Sequence, residues 1–164
     1  MKVWKEIWSY VLIILVVLLI RTFIISPVSV DGDSMLTTLK DKEVLLLKKY
    51  DKSLERFDII VFNHGSSKLI KRVIGLPGEH IEYKDNELYI NGEKLEDINL
   101  LTKTSNFKLE DLGYSVIPDG MYFVLGDNRI NSTDSRVIGL IAKDDIKGTV
   151  DFRIFPFNRF GSVD

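Results

Sequence analysis

Three polar stretches of this 164-residue chain carry side chains able to do covalent chemistry. In Val30-Asp31-Gly32-Asp33-Ser34-Met35, a hydroxyl follows a glycine and an acidic residue at the exit of an alternating run (Val28, Val30). In Lys68-Leu69-Ile70-Lys71-Arg72-Val73-Ile74-Gly75, a lysine lies among apolar neighbours. Gly126-Asp127-Asn128-Arg129-Ile130-Asn131-Ser132-Thr133-Asp134-Ser135-Arg136 is denser in polar side chains than a surface loop requires. A serine hydroxyl is a weak nucleophile and needs a base within hydrogen-bond reach. The chain has no cysteine and only two histidines, His64 and His80. Thiol chemistry, a disulfide framework and cysteine-ligated metal are therefore excluded, a histidine-rich zinc site is impossible, and a Ser-His-Asp triad fits poorly.

Lysine is then the candidate base. It titrates near ~10.4 when free and must fall by about three units to act near neutral pH, roughly 4 kcal/mol of differential solvation. Burial among apolar groups supplies this, because desolvation disfavours the ammonium. Lys71 follows Leu69-Ile70 and, past Arg72, precedes Val73-Ile74; on a strand it shares a face with Leu69 and Val73. Each stretch alone has a plainer meaning: a solvated strand lysine, a turn, a charged hairpin loop. Their coincidence in one small domain favours a site.

The first positioning element is apolar. Every residue from 7 to 20 is uncharged and almost all are apolar; Arg21 interrupts, and Thr22-Phe23-Ile24-Ile25 continues to Ser26-Pro27. A spanning helix needs roughly 20 predominantly apolar residues, and residues 7–25 supply them if Arg21 extends its head to the interface. Trp4 and Trp8 suit the opposite interface. A cleaved secretory leader would need a small-residue site after the apolar core; Arg-Thr-Phe-Ile-Ile-Ser-Pro offers none, so a retained anchor is expected. Lys2, Lys5 and the amino terminus favour an inside N-terminus, diluted by Glu6 and Arg21. The expected layout is a cytoplasmic tail (1–6), a single-pass anchor (7–25) and an extracytoplasmic domain (26–164). A net charge of -2 gives no argument for nucleic acid.

Beyond Pro27, short apolar or alternating runs predict strands at 28–31, 43–47, 58–62, 69–74, 81–83, 88–90, 121–125 and 148–154. Asn91-Gly92 is the strongest hairpin signal, since both residues tolerate positive φ. Residues 97–115 read as a polar surface loop. No sustained helical period follows the anchor, which makes the domain mainly β.

The ordered blocks resemble the bacterial type I signal peptidases (leader peptidases) in their short Gram-positive form, over nearly the whole chain. Val30 to Met35 with Thr38-Leu39 is similar to G-x-S-M-x-P-T-L; Lys71-Arg72-Val73-Ile74-Gly75-Leu76-Pro77-Gly78 to K-R-x-x-G-x-P-G-D; and Gly126 to Gly139 to G-D-N-R-x-x-S-x-D-S-R-x-x-G. Asp58-Ile59-Ile60-Val61-Phe62 stands between the first two. The resemblance implies an antiparallel β-sheet catalytic core (26–80 and 119–157) with a small β-hairpin insertion (81–118). It implies Ser34 as acylating nucleophile, Lys71 as general base, Ser132 as the serine orienting the lysine, and Asp127 with Arg72 and Asp134 with Arg136 as supporting ion pairs. The Ser34 N–H is the implied oxyanion donor; Gly32 offers no hydroxyl where some members have serine. An extended peptide would add to the strand of Val28, Val30 and Asp31 and to the strand reaching Lys71, as β-addition allows. Val28, Val30, Leu39 and Ile70 would line shallow pockets for the A-x-A residues of secretory signals, although ordinary core packing also explains all four. The implied partners are signal peptides of secretory pre-proteins and membrane lipid, with no cofactor and no metal. Thr37, Phe57 and Glu79 depart from the family's proline, glycine and aspartate, and Thr37 implies a less rigid turn after Met35. A narrowly specialised peptidase and a silent pre-protein-binding domain are the competing readings.

Overall fold

The computed structural model describes residues 2–49, 53–98 and 101–163, with side chains from residue 4. The amino terminus and the Lys2 side chain, used above for orientation, and residues 99–100 of the expected loop lie outside the described residues.

Helix α1 (Lys2–Phe23) is 22 residues long, about 33 Å at ~1.5 Å per residue. From Trp4 to Phe23 it is long and apolar enough to cross a membrane, and none of it is buried against the protein. It stops before the apolar stretch does: strand β1 (Ile25–Ser29) already includes Ile25, expected in the anchor. The β-branched pair Ile24-Ile25 favours extended backbone, and Pro27 pushes Ser26 the same way. Lys49 Nζ donates to the Arg21 and Thr22 carbonyls at 2.9 and 3.2 Å, placing a cation at the negative end of the helix.

The body that follows is a wholly antiparallel sheet. Joining β1 are β2 (Val44–Lys48), β3 (Ile59–His64), β4 (Ser67–Gly75), β9 (Met121–Leu125), β10 (Ile141–Ala142) and β11 (Ile146–Phe155), in the order β1-β2-β11-β3-β4-β9-β10. A short β12 (Gly161–Ser162) pairs with β11. Strand β3 explains why a run of apolar residues without alternation is needed here. Ile59 and Val61 join one buried cluster with Val30, Met35, Leu39 and Ile70, while Ile60 and Phe62 join another with Val73, Val124 and Ile146. Both faces of the strand are covered.

The insertion is larger than the expected hairpin. Strands β5 (Ile81–Lys84), β6 (Glu87–Ile90), β7 (Glu93–Leu95) and β8 (Phe107–Lys108) form a second sheet in the order β7-β6-β5-β8. Asn91-Gly92 makes the expected turn, with φ of 54° and 83°. Asp85-Asn86 makes a second of the same hand, at 52° and 70°. The stretch 97–115, expected as surface loop, supplies β8 and a 3₁₀ turn at Leu109–Leu112. Phe107 and Leu109 are buried, and the Phe107 ring stacks on Phe123 with centroids 5.1 Å apart. A two-residue strand has too few positions to show a period, so only tertiary packing reveals it.

Candidate active site

The turn after β1 carries Ser34. Its flanks are held from several sides. Val30 N–H donates to Glu43 O (2.8 Å), Leu39 N–H to Met35 O (2.8 Å) and Gly32 N–H to Asp41 Oδ1 (2.9 Å). Met35 and Leu39 sink into the core. The Thr38 carbonyl accepts from Arg153 Nη2 (3.1 Å) and Arg159 Nη2 (3.3 Å). Both guanidiniums also meet the buried Glu43 carboxylate, at 2.8 and 2.5 Å. The turn expected to be looser for want of a proline at Thr37 is thus tied down by a charge network that local sequence does not display.

Lys71 pairs with Ile60 in the β3–β4 register and is 2% exposed. Its Nζ lies 2.7 Å from Ser34 Oγ and donates to the Ile70 carbonyl at 3.0 Å. Burial pushes this amine down to about 8, outweighing the opposing pull of the Asp134 and Asp127 carboxylates. The requirement set by the sequence, an apolar surround for one lysine, is met at this position.

The polar stretch folds behind the pair. Arg72 and Asp127 form a buried two-pronged ion pair, Nε to Oδ1 at 2.9 Å and Nη2 to Oδ2 at 2.8 Å, and Thr38 Oγ1 donates to Asp127 Oδ2 at 2.5 Å. Asp134 accepts from Arg136 Nε and Nη2, both at 2.8 Å, and from the Gly126 N–H at 3.2 Å. Both expected ion pairs are therefore formed. Ser132 differs from expectation: it lines the same basin as Ser34 and Lys71, yet its buried Oγ has no hydrogen-bond partner. The hydrogen bond to the lysine expected for it is not made; Lys71 Nζ bonds Ser34 and Ile70 instead.

Sequence reasoning left several members without a role. A Cβ on Gly126 would sit 2.3 Å from Ser132 Oγ and 2.5 Å from the Ser34 carbonyl oxygen, so only glycine lets the stretch lie this close to Ser34. Asn128 donates through its backbone N–H to Ser34 O (3.0 Å) and through Nδ2 to Asp33 O (3.2 Å). Arg129 is buried; its Nη1 reaches Asp97 (2.6 Å), Thr104 (2.6 Å) and the Tyr83 hydroxyl (3.1 Å), joining the loop to the second sheet. The density of polar residues between 126 and 136 was the one local signal for Asn128 and Arg129.

Two concavities flank Ser34. A narrow cleft of about 50 Å³ is lined by Val28, Val30, Asp31, Met35 and residues 68–71. A wider basin of about 450 Å³ is lined by Asp31, Gly32, Asp33, Lys71, Ile130 and Ser132. Leu39, expected to line a substrate pocket, does not: it is fully buried behind Val30 and Ile70 and supports the cleft wall instead. Among the described residues, no three His, Asp or Glu side chains converge to hold a metal ion.

The chain is similar in sequence, and over part of its length in fold, to known proteins. The family model for "Signal peptidase, peptidase S26" matches residues 3–155. Signal peptidase I S of Bacillus subtilis (strain 168) is 43% identical over 164 residues, covering 92% of this chain and 89% of the relative. Signal peptidase IB of Staphylococcus aureus (strain COL) is 39% identical over 178 residues, covering 95% and 93%. A crystal structure of a signal peptidase I from Enterococcus faecalis V583 superposes with a TM-score of 0.56 at 42% identity, covering 59% of this chain and 96% of that one. A mainly antiparallel body, a serine and a buried lysine in contact, and these likenesses over almost the full length place the chain among the type I signal peptidases of the peptidase S26 family.

Proposed function

We propose that this serine endopeptidase of the signal peptidase class is membrane-anchored and cleaves pre-proteins after A-x-A residues through a Ser34/Lys71 dyad. The observation that carries this reading is the 2.7 Å contact between Ser34 Oγ and a desolvated Lys71 Nζ. The neutral amine accepts the Ser34 proton as Oγ bonds to the scissile carbonyl carbon. The carbonyl electron pair moves to oxygen and then returns, expelling the new N-terminal amine, which takes that proton from Nζ. Water attacks the acyl ester with Lys71 again accepting a proton; the ester C–O bond then breaks, Ser34 Oγ leaves with that proton returned from Nζ, and the cleaved signal peptide departs with a new carboxyl terminus. Asp127 with Arg72 and Asp134 with Arg136 hold the loop that backs both groups, and Ser132 stands beside the lysine to receive it when Ser34 is acylated.

The substrate strand enters the narrow cleft. Among the described residues, β1 on one wall pairs only with β2, and on the other residues 67–71 of β4 pair only with β3, since β9 joins at Arg72. Each wall thus presents an open backbone edge to an extended peptide. Val28, Val30 and Ile70 shape a space of about 50 Å³ that suits small side chains. Helix α1 (Lys2–Phe23) spans the cell membrane in a single pass, with residues 1–6 cytoplasmic and the domain from residue 26 extracytoplasmic.

The test uses the purified protein in detergent with a secretory precursor carrying an A-x-A site, reading the new N-terminus. Cleavage after the small residues is expected, and Ile70→Ala, which widens the cleft, should add products cut after larger side chains. Cleavage elsewhere, or unchanged selectivity in Ile70→Ala, would remove the cleft as the selecting pocket.

Activity should also follow the lysine. Lys71 is protonated and inactive well below pH 8 and free to accept a proton above it, so kcat/KM should rise about tenfold per pH unit at low pH and level off with a midpoint near 8. A rate independent of pH between 6 and ~10 would exclude Lys71 as base.

A further inference from the structure

We propose that Asn128 is the positioning residue of the oxyanion site, gripping the peptide unit whose N–H binds the developing charge. That unit joins Asp33 to Ser34. A trans peptide directs its C=O and N–H to opposite sides, and this bond is not among the cis peptides of the chain. Its carbonyl accepts from Asn128 Nδ2 at 3.2 Å. Its N–H, on Ser34, donates to no protein group among the described residues. Holding the carbonyl towards Asn128 therefore turns the N–H away, towards the basin lined by Asp33, Ser34 and Lys71.

The hold is two-pointed. The next carbonyl, that of Ser34, accepts from the Asn128 backbone N–H at 3.0 Å. Asn128 Oδ1 accepts from the Asn131 N–H at 3.4 Å, so the amide has one orientation that satisfies both ends, with Nδ2 facing the Asp33 carbonyl. Asn128 is 8% exposed, and water competes little for these bonds. A donor on a peptide carbonyl also polarises the N–H of the same unit. The device matters in this chain because Gly32 contributes no hydroxyl and the Ser34 N–H must serve with little help. As Ser34 Oγ bonds to the carbonyl carbon, its proton passes to Lys71 and the carbonyl electron pair settles on oxygen. Asn128 fixes the donor that meets that pair and touches neither substrate nor proton.

The inference rests on the Ser34/Lys71 reading. The experiment therefore compares a peptide aldehyde ending in an A-x-A sequence, which forms a hemiacetal with Ser34, with the corresponding peptide alcohol, which cannot. The unmodified enzyme should bind the aldehyde more tightly than the alcohol, and Ser34→Ala should abolish the difference. If it does not, the dyad reading fails and the positioning role with it. Asn128→Asp keeps the shape and replaces the donor by an acceptor; Asn128→Ala removes it without adding charge, should the aspartate disturb folding. Removing an oxyanion donor costs ~10²–10³. In Asn128→Ala, misaiming one should weaken aldehyde inhibition and lower kcat by about 10–100-fold, with alcohol affinity, KM and the pH midpoint unmoved. Unchanged aldehyde affinity and kcat overturn the proposal. So do equal losses for aldehyde and alcohol, which would mean a merely structural residue, and a shifted pH midpoint, which would mean action through Lys71.

Discussion

Lys71→Met will lose precursor cleavage by at least about 10³-fold and yet fold more stably than the unmodified protein. The loss is expected on the proposed dyad, in which the amine in contact with Ser34 is its base; Ser34→Ala should fall as far, without the gain in stability. The gain follows from proton linkage. The folded state holds the lysine near 8, against 10.5 for the free side chain. Below both values the charged amine is bound in folded and unfolded states alike, and the folded state bears the whole desolvation cost. Between them the unfolded chain binds more protons, so stability rises with pH. Above both, the cost is gone. The difference amounts to up to about 3 kcal/mol at ~1.36 kcal/mol per unit. Methionine fills nearly the same volume without charge. Chemical denaturation at pH 7 should show the variant more stable, with the advantage vanishing towards pH 11. Equal stability at all pH would mean that Lys71 is not desolvated in solution.

Asp127→Ala should cost 3–5 kcal/mol, the scale for removing one partner of a buried pair. The carboxylate is fully buried and accepts three hydrogen bonds, two from the Arg72 guanidinium and one from the Thr38 hydroxyl. Its removal strands the Arg72 guanidinium, which keeps only the Phe57 carbonyl and Thr38 hydroxyl. The double variant Arg72→Met/Asp127→Leu should recover much of the loss, since apolar replacements of a buried pair are often tolerated. Where Asp127→Ala still folds, the pH midpoint should move below 8, because this carboxylate pulls the Lys71 value upward. A stability change below ~1 kcal/mol in the single variant would show that the pair contributes no more than a surface bridge.

The sequence was most legible where one local rule decides the outcome. A run of apolar residues at 59–62 had to be a strand covered on both faces, and Asn91-Gly92 had to turn. The pairing of a serine with a buried lysine could be anticipated because few chemistries survive the absence of cysteine and the scarcity of histidine, and the two side chains do meet. What escaped depends on groups distant in the chain. Residues 97–115 look polar because Asp97 and Thr104 serve a buried arginine at 129, while Phe107 and Leu109 find their partners in another strand. Leu39 was read as pocket lining because it adjoins the motif, but its side chain points into the core behind the wall. That Ser132 Oγ is left without a partner depends on where Lys71 Nζ goes, which the local sequence does not display. Phe57 is instructive in another way. It stands where a glycine is usual and adopts φ of 74°, a left-handed backbone that costs an L-residue about 1–2 kcal/mol. Its ring packs against the second sheet's core and its carbonyl takes the Arg72 guanidinium, which offsets that strain.

The passage from α1 to β1 has a consequence for how position is measured. A single residue, Ile24, separates helix from strand, and it is not slack: its carbonyl accepts from the Lys49 N–H at 2.8 Å while the Lys49 ammonium holds the last helical carbonyls. On the anchored reading, the body cannot swing on a flexible tether. Its cleft stays at one height above the bilayer and sweeps a plane as the helix diffuses. A precursor is then interrogated by depth as well as by side chain, so a small-x-small stretch at the wrong distance from the lipid goes uncut although its chemistry is right.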